Sequence, residues 1–176
     1  MTSADPVSLP SDDAPILPDW PVAAQLDLGD EDVSNALAQR ISDVLETEDT
    51  LLLSGALGAG KTHIARALIR RWMGKADEPV PSPTFTLVQT YATKRGDIWH
   101  ADLYRLSDPQ ELDELGLDEA FGTDLCLIEW PDRLAPDWPD ACLLHLERQP
   151  DDTRRAVLLA PEGKAMAARL IEAFAA

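Results

Sequence analysis

Basic side chains are scarce in this sequence, which carries 15 Lys and Arg against 32 Asp and Glu and has a formal net charge of −17. The imbalance is uneven, because residues 1–50 hold 12 of the acids and one of the bases. The rest of the chain is only mildly acidic, yet it has no basic stripe of the kind that follows a phosphate backbone. We therefore expect no strong unaided binding to nucleic acid. A function that touches RNA would need a partner protein to hold the RNA.

Long hydrophobic runs and cysteines are also few. No apolar run approaches the roughly 20 residues of a membrane span, and the N-terminus lacks a basic region followed by an apolar core, which is the pattern of a secretory signal. Cys126 and Cys142 both lie in apolar segments, so we expect two packed thiols rather than a disulfide. These features predict a cytoplasmic protein without membrane contact.

The order of apolar patterns predicts one α/β domain after a tail. Five prolines among Ser and Asp make residues 1–21 a flexible, acidic tail, and residues 22–176 form the domain. Strands are predicted over 25–28, 51–54, 98–103, 124–129, 142–148 and 155–159, and helices over 30–46, 61–73, 108–116, 118–121 and 163–176. Pro109 suits the first position of the third helix. Residues 82–91 predict a β-rich segment that pairs with 98–103 in a hairpin, so the sheet is mixed.

One stretch organises the chain, the sequence GALGAGKT at residues 55–62. It has the form G-x-x-x-x-G-K-T, follows a short apolar strand and opens a helix, which is the context of a phosphate-binding loop. Glycines let the backbone bend around an anion, and the helix adds its positive end. In this motif Lys61 reaches the β- and γ-phosphates, and the Thr62 hydroxyl is a ligand of Mg²⁺. The pattern predicts a nucleotide-binding site.

Two acids are candidates to complete that site. Glu129 follows four apolar residues, where a buried strand emerges at the carboxyl edge of the sheet, and there it would help to hold Mg²⁺. Asp102 ends another strand and would position or activate water, or ligate Mg²⁺ through water. The alternatives are an ordinary strand-end carboxylate for Glu129 and, for Asp102, a turn-capping residue paired with Arg105.

Other residues near these acids allow two interpretations. Trp130 either forms a wall of the nucleotide site or packs as core. Thr84 and Thr86 either sense the γ-phosphate or act only as β-forming residues. His100 could face the site, although a lone histidine more often makes a structural hydrogen bond.

These motifs together resemble the TsaE (YjeE) family, the small ATPases of bacterial tRNA threonylcarbamoyladenosine formation. The matching segments are GALGAGKT (55–62), SPTFTLVQTY (82–91), HADLYRLSDPQELDELG (100–116) and LIEWP (127–131). They lie in the family's order and span about residues 33 to 160. The phosphate-binding loop alone is common to many families, whereas this ordered combination is highly specific.

The resemblance assigns roles to residues of this chain. Asp102, Lys61 and Glu129 are the catalytic residues, and Thr62 and Glu129 hold the metal. Ser34 stands where the family has a nucleotide-contacting Thr, and Arg154 competes with Arg155 for the family's arginine, with Arg154 favoured. The residues implied to bind the nucleotide are Gly55, Ala56, Leu57, Gly58, Ala59, Gly60, Lys61, Thr62, Ser34, Trp130 and Arg154.

The resemblance further implies a P-loop NTPase-like three-layer fold with a mixed central sheet, and slow hydrolysis of ATP with Mg²⁺. The protein would dock on the TsaD–TsaB pair and support formation of N6-threonylcarbamoyladenosine (t6A37), meeting tRNA only through that complex. It would neither make nor transfer the threonylcarbamoyl group. Two alternatives stay open, a small-molecule P-loop kinase and a nucleotide-gated interaction module that needs no turnover.

Overall fold

A computed structural model describes residues 15–106, 110–135 and 137–176. Residues 1–14 of the predicted tail, the predicted helix start at Asp108 and Pro109, and Pro136 lie outside the described residues. The strands are β1 (Val22–Leu28), β2 (Thr50–Gly55), β3 (Val88–Tyr91), β4 (Ile98–Asp102), β5 (Leu125–Glu129), β6 (Cys142–Arg148) and β7 (Arg154–Leu159). The helices are α1 (Glu31–Val44), α2 (Lys61–Met73), α3 (Gln110–Glu114), α4 (Leu117–Ala120) and α5 (Ala165–Ala175).

The seven strands of the described residues form one sheet in the order β1-β7-β6-β2-β5-β4-β3. The central strands β6, β2, β5 and β4 run parallel, whereas β1, β7 and β3 pair with their neighbours in antiparallel fashion. The fold class is therefore α/β with a mixed sheet, as predicted. Because β2, β5 and β4 are adjacent and parallel, their carboxyl ends meet at one edge of the sheet.

Both faces of the sheet are covered, which explains the nearly continuous apolar runs of the central strands. Leu51 and Leu53 face the layer formed by α1, α2 and α5. Leu52, between them, faces the opposite layer, where α4 and the loops around it pack. The alternation of side chains along β2 thus produces a three-layer molecule. Among the described helices, none is long and apolar enough to cross a membrane.

The helix ends follow local chemistry. Asp30 caps α1, and its side chain accepts a hydrogen bond from the Val33 amide at 2.9 Å. Gly74 ends α2 in a left-handed conformation. Upstream of β1, Trp20 packs against Trp138, with 6.4 Å between the ring centroids.

Several predicted elements differ from the structure at their ends, and one differs in kind. Only residues 88–91 of the predicted β-rich segment 82–91 form a strand, and residues 83–86 form a turn. The turn is closed by a hydrogen bond of 2.7 Å from the Leu87 amide to the Pro83 carbonyl, and Leu87 takes a positive φ of 63°. The threonines of this segment favour strands by propensity, but local hydrogen bonding bends the backbone away from the sheet.

Candidate functional site

The loop between β2 and α2 depends on glycine at two positions. Gly55 has φ 138°, and a Cβ placed on it would lie 2.5 Å from the carbonyl oxygen of Leu146. Gly60, the residue before α2, has φ 108°. Other residues rarely adopt these conformations, and the close approach to β6 leaves no room for a side chain at residue 55. The sequence therefore folds here into a tight loop that leads directly into a helix.

The start of α2 offers unpaired amide groups to this loop. The first backbone hydrogen bond of the helix runs from the Ile64 amide to the Gly60 carbonyl, at 3.0 Å. The amides of Lys61, Thr62 and His63 precede it, so the helix provides no acceptor for them. Together with the helix dipole, they form a site that favours an anion.

Lys61 is held inside the site and is only 5% exposed. Its Nζ donates to the carbonyl oxygens of Gly55 at 2.6 Å and Ala56 at 2.9 Å, and it lies 3.8 Å from the centroid of the Trp130 ring. Burial lowers the pKa of this ammonium, while the nearby carboxylates of Glu129 and Asp102 oppose that shift. The cation is thus placed among groups that favour its charged form.

Glu129 lies at the carboxyl end of β5 and is 1% exposed. Its Oε2 accepts a hydrogen bond from the Thr62 hydroxyl at 2.7 Å, and its Oε1 is 2.8 Å from Nε2 of His100. A hydroxyl and a carboxylate in direct contact are the oxygen donors that a P-loop protein supplies to Mg²⁺, with phosphate oxygens and water completing the shell. The residues present therefore fit this cation.

Asp102 ends β4 directly opposite Glu129 in the parallel register. Its side chain accepts hydrogen bonds from the Tyr104 amide at 3.1 Å and from the Thr84 hydroxyl at 3.2 Å. Burial raises the pKa of the Asp102 carboxyl, and these two donors oppose the rise. The turn-capping contact foreseen for Asp102 is present, but Arg105 stacks instead on the Phe85 ring, 4.3 Å from its centroid.

Trp130 forms a wall of the site in a left-handed backbone conformation, with φ 57°. Its amide donates to the Leu53 carbonyl at 3.2 Å, and its ring lies 4.7 Å from the ring of Tyr104. A left-handed conformation costs a non-glycine residue about 1 kcal/mol. The cost is offset by the contacts that turn the indole over Lys61.

Two cavities open beside the loop. One, of about 320 Å³, is lined by the loop and by Thr84, Asp102, Glu129 and Trp130. The other, of about 190 Å³, lies between the loop, Ser34, Leu146 and Arg154. The residues that the resemblance assigns to the site all lie in the loop or line one of these cavities, and Gly55 and Ala56 belong to the loop without lining either cavity. Thr86, the other candidate of its segment, lines neither.

Ser34 and Arg154 lie at the second cavity. Ser34 is buried, and its hydroxyl donates to the Asp30 carbonyl at 3.0 Å. Nη2 of Arg154 is 3.4 Å from the Gly58 carbonyl oxygen, whereas Arg155 binds Asp27 on β1 at 2.6 Å. The structure thus brings Arg154, and not Arg155, to the loop.

Sequence reasoning left two contacts without an assignment. It left His100 open between facing the site and making a structural hydrogen bond, and His100 contacts Glu129. It also left Thr84 open, and Thr84 donates a hydrogen bond to Asp102. The available signal was the spacing of His100 and Asp102, because residues two apart on a strand share a face. Within the described residues there is no group of three or more His, Cys, Asp or Glu side chains that could hold a metal ion.

Comparison with known proteins gives a consistent result. Residues 28–157 match the family described as "Threonylcarbamoyl adenosine biosynthesis protein TsaE". The chain is 45% identical to a tRNA threonylcarbamoyladenosine biosynthesis protein TsaE of Rickettsia felis over 103 residues, which cover 58% of this chain and 60% of that protein. It is 38% identical to the protein of the same name from Rickettsia bellii over 132 residues, covering 74% of this chain and 91% of that one.

The fold also has a solved counterpart. The crystal structure of YdiB from Bacillus subtilis superposes with a TM-score of 0.69 and 25% sequence identity, over 86% of this chain and 93% of that one. The chain spans less than two thirds of the length of the Rickettsia felis relative but nearly the whole length of YdiB.

Proposed function

The chain belongs to the TsaE family of threonylcarbamoyl adenosine biosynthesis proteins, and from that premise we propose that it is a P-loop ATPase. In this proposal it binds ATP with Mg²⁺, hydrolyses it slowly, and supports t6A37 formation in tRNA by docking on the TsaD–TsaB complex. One observation carries the proposal. The loop amides, the Lys61 ammonium and the bonded pair of Thr62 and Glu129 converge on one cavity at the carboxyl edge of the sheet.

Each of these groups suits one part of Mg-ATP. The amides at the start of α2 and Lys61 match the charge of the β- and γ-phosphates, and Thr62 and Glu129 would hold the cation. Mg²⁺, when bound, neutralises charge that develops on the phosphate oxygens. Trp130 and Arg154 border the two cavities from opposite sides of the loop and would contact the rest of the nucleotide.

Asp102 is the group best placed to act on water. Its carboxylate lines the same cavity as Lys61 and Thr62, and both its oxygens already accept hydrogen bonds. Because burial raises its pKa, the ionised carboxylate is a stronger proton acceptor than an exposed aspartate. We assign Asp102 the role of orienting the attacking water and accepting its proton.

Exposed apolar side chains around the cavity support docking of a partner protein. Phe85 is 81% exposed and Leu57 is 74% exposed, and each lies on a loop that borders the nucleotide cavity. Each side chain leaves a large apolar area exposed beside the cavity, and we take these areas as the candidate docking surface. Since the chain has an acidic composition, the partner would carry the contacts with tRNA.

The test of the proposed activity is ATP hydrolysis by the purified chain, alone and with TsaD, TsaB and tRNA. We expect weak activity alone that changes when the partners are present. Lys61→Ala should weaken nucleotide binding, because the buried ammonium is lost. Glu129→Ala should impair Mg²⁺-dependent hydrolysis more than nucleotide binding. Hydrolysis at the wild-type rate by the Glu129 variant would contradict its role as a metal ligand.

The same assay separates the alternatives. Transfer of phosphate to a small metabolite without any response to the partners would favour a kinase. Partner binding and t6A formation that persist in Asp102→Ala would show that nucleotide binding without turnover is sufficient.

The docking surface is tested by Phe85→Ser. We expect this change to weaken association with the TsaD–TsaB pair, measured by calorimetry or analytical ultracentrifugation, because it removes exposed apolar area. Nucleotide affinity should stay within twofold of wild type, since Phe85 does not line the cavity. Ile171→Ser, an exposed apolar residue on α5, is the matched control. Equal loss of association in both variants would argue against this surface.

A further inference from the structure

The two carboxylate oxygens of Glu129 are held by side chains from two different elements. Thr62 of α2 donates to Oε2 at 2.7 Å, and His100 of β4 contacts Oε1 through Nε2 at 2.8 Å. His100 is 0% exposed and Glu129 is 1% exposed. No water or solvent ion is needed to account for the orientation of the carboxylate, because both oxygens have a protein partner.

The contacts of His100 define which ring nitrogen carries hydrogen. An ionised carboxylate only accepts hydrogen bonds, so Nε2 is the donor to Oε1. Nδ1 of His100 is buried and has no hydrogen-bond partner among the described residues. The contact with Glu129 therefore places hydrogen on Nε2, the nitrogen that faces Oε1.

A residue that served packing alone would not need this nitrogen. A buried leucine would fill similar volume without an unpartnered polar atom, so the imidazole carries a cost that only its bond to Glu129 offsets. Hydrogen bonds to a ligating carboxylate fix its orientation before the metal arrives. Here the bond to Oε1 leaves Oε2 facing Thr62, on the side of the cavity where the phosphates would lie.

We propose that His100 is a positioning residue, which holds the Glu129 carboxylate so that Oε2 and the Thr62 hydroxyl are prealigned for Mg²⁺. The inference rests on the proposed function, because it takes Glu129 as a metal ligand. His100 itself touches neither the cation nor the nucleotide in this role. It acts by restricting the rotation of the Glu129 carboxylate before the metal arrives. Metal binding then does not have to fix that rotation, which would cost conformational entropy.

The test compares His100→Leu with His100→Gln in the full chain. The readout is the Mg²⁺ concentration at which the Mg²⁺-dependent gain in affinity for a fluorescent ADP analogue is half complete. This readout does not depend on ATP turnover. His100→Leu should raise that concentration about 10- to 100-fold, while affinity without Mg²⁺ stays unchanged. His100→Gln should recover most of the loss, because its Nε2 donor can reach the same oxygen. Trp99→Phe is the control, since it removes a hydrogen bond from the same strand to Asp124, outside the site.

The outcomes distinguish the positioning role of His100 from the metal-ligand role of Glu129. A normal Mg²⁺ dependence in His100→Leu, together with a shifted one in Glu129→Gln, would overturn the positioning role and leave the metal role intact. A normal Mg²⁺ dependence in both variants would overturn the positioning role of His100 and the metal role of Glu129. Nitrogen NMR of the wild-type imidazole gives an independent reading, which holds even where a variant fails to fold. We expect hydrogen on Nε2, and hydrogen on Nδ1 alone would overturn the proposal.

Discussion

Two adjacent arginines at the start of β7 have different partners. Arg154 approaches the phosphate-binding loop, with Nη2 3.4 Å from the Gly58 carbonyl oxygen, while Arg155 binds Asp27 on the edge strand β1. Neighbouring residues on a strand point to opposite faces, so only one of the two can reach the loop. The pair therefore offers a test in which each variant is the control for the other.

We expect Arg154→Ala to weaken ATP binding about tenfold, because a charged contact to the nucleotide is lost. Arg155→Ala should leave nucleotide affinity within twofold, since its exposed ion pair with Asp27 contributes little. Titration with a fluorescent nucleotide measures both. A larger effect for Arg155→Ala would mean that the register of β7 changes when the nucleotide binds.

Individual site residues could be predicted where their position depends on one strand or one motif. Glu129 and Asp102 each end a strand, and Lys61 and Thr62 belong to a loop whose form is set by its glycines. The contacts of His100 with Glu129 and of Thr84 with Asp102 were not predictable in the same way. They depend on the parallel register of β4 and β5 and on the path of residues 82–87, which no local pattern specifies.

At the scale of elements, the strand-loop-helix unit of β2 and α2 depends on the lack of a side chain at Gly55. A Cβ there would lie 2.5 Å from the Leu146 carbonyl oxygen, and the backbone has a positive φ. Gly55→Ala therefore forces β2 and β6 apart in addition to straining the backbone.

We expect Gly55→Ala to lower the free energy of unfolding by at least about 2 kcal/mol. The strain of a positive φ and the clash of Cβ with the Leu146 carbonyl oxygen both contribute to this loss. Gly29→Ala is the matched control, since a Cβ at that residue meets nothing within 4 Å. Its effect should stay within about 0.5 kcal/mol. Denaturant unfolding followed by circular dichroism measures both, and similar values for the two variants would contradict the clash.

Most helices and strands were predictable because the spacing of apolar residues along the chain shows which face of a helix or strand is buried. The hairpin of β3 and β4, the antiparallel pair β6 and β7, and the helices α1, α2 and α5 all match segments of strong pattern. The predicted β-rich segment 82–91 was wrong over residues 82–87, because the turn there is decided by hydrogen bonds to the Pro83 carbonyl and the Asp102 carboxylate. Such bonds override the intrinsic preference of threonine for strands.

At the scale of the whole molecule, both thiols lie in the centre of the sheet. Cys126 and Cys142 are free and fully buried, which confirms the prediction of packed thiols. Burial raises the pKa of each to about 12. Since the thiolate is the reactive form, neither thiol should react in the folded protein.

We expect iodoacetamide at pH 8 to leave both cysteines unmodified in the native chain and to modify both in denaturant, as read by mass spectrometry. Because the folded pKa lies above the unfolded value, the stability that these protonated thiols contribute is lost as the pH rises from about 9 through about 12. Rapid labelling of the native protein would show that the sheet opens far more often than its burial implies.

The position of β3 at the edge of the sheet affects which part of the molecule opens locally. This strand is four residues long and, within the described part of the chain, pairs with β4 alone, whereas β2 and β5 each have a strand on both sides. Residues 82–87, which bring Thr84 to Asp102, continue directly into it. Separation of β3 would break its one short ladder with β4 and the packing of the half-buried Val88 and Tyr91, so we expect it to cost less free energy than global unfolding. Thr84 is thus carried by a segment that joins an edge strand, whereas Glu129 and Lys61 belong to the central strand β5 and to the helix α2.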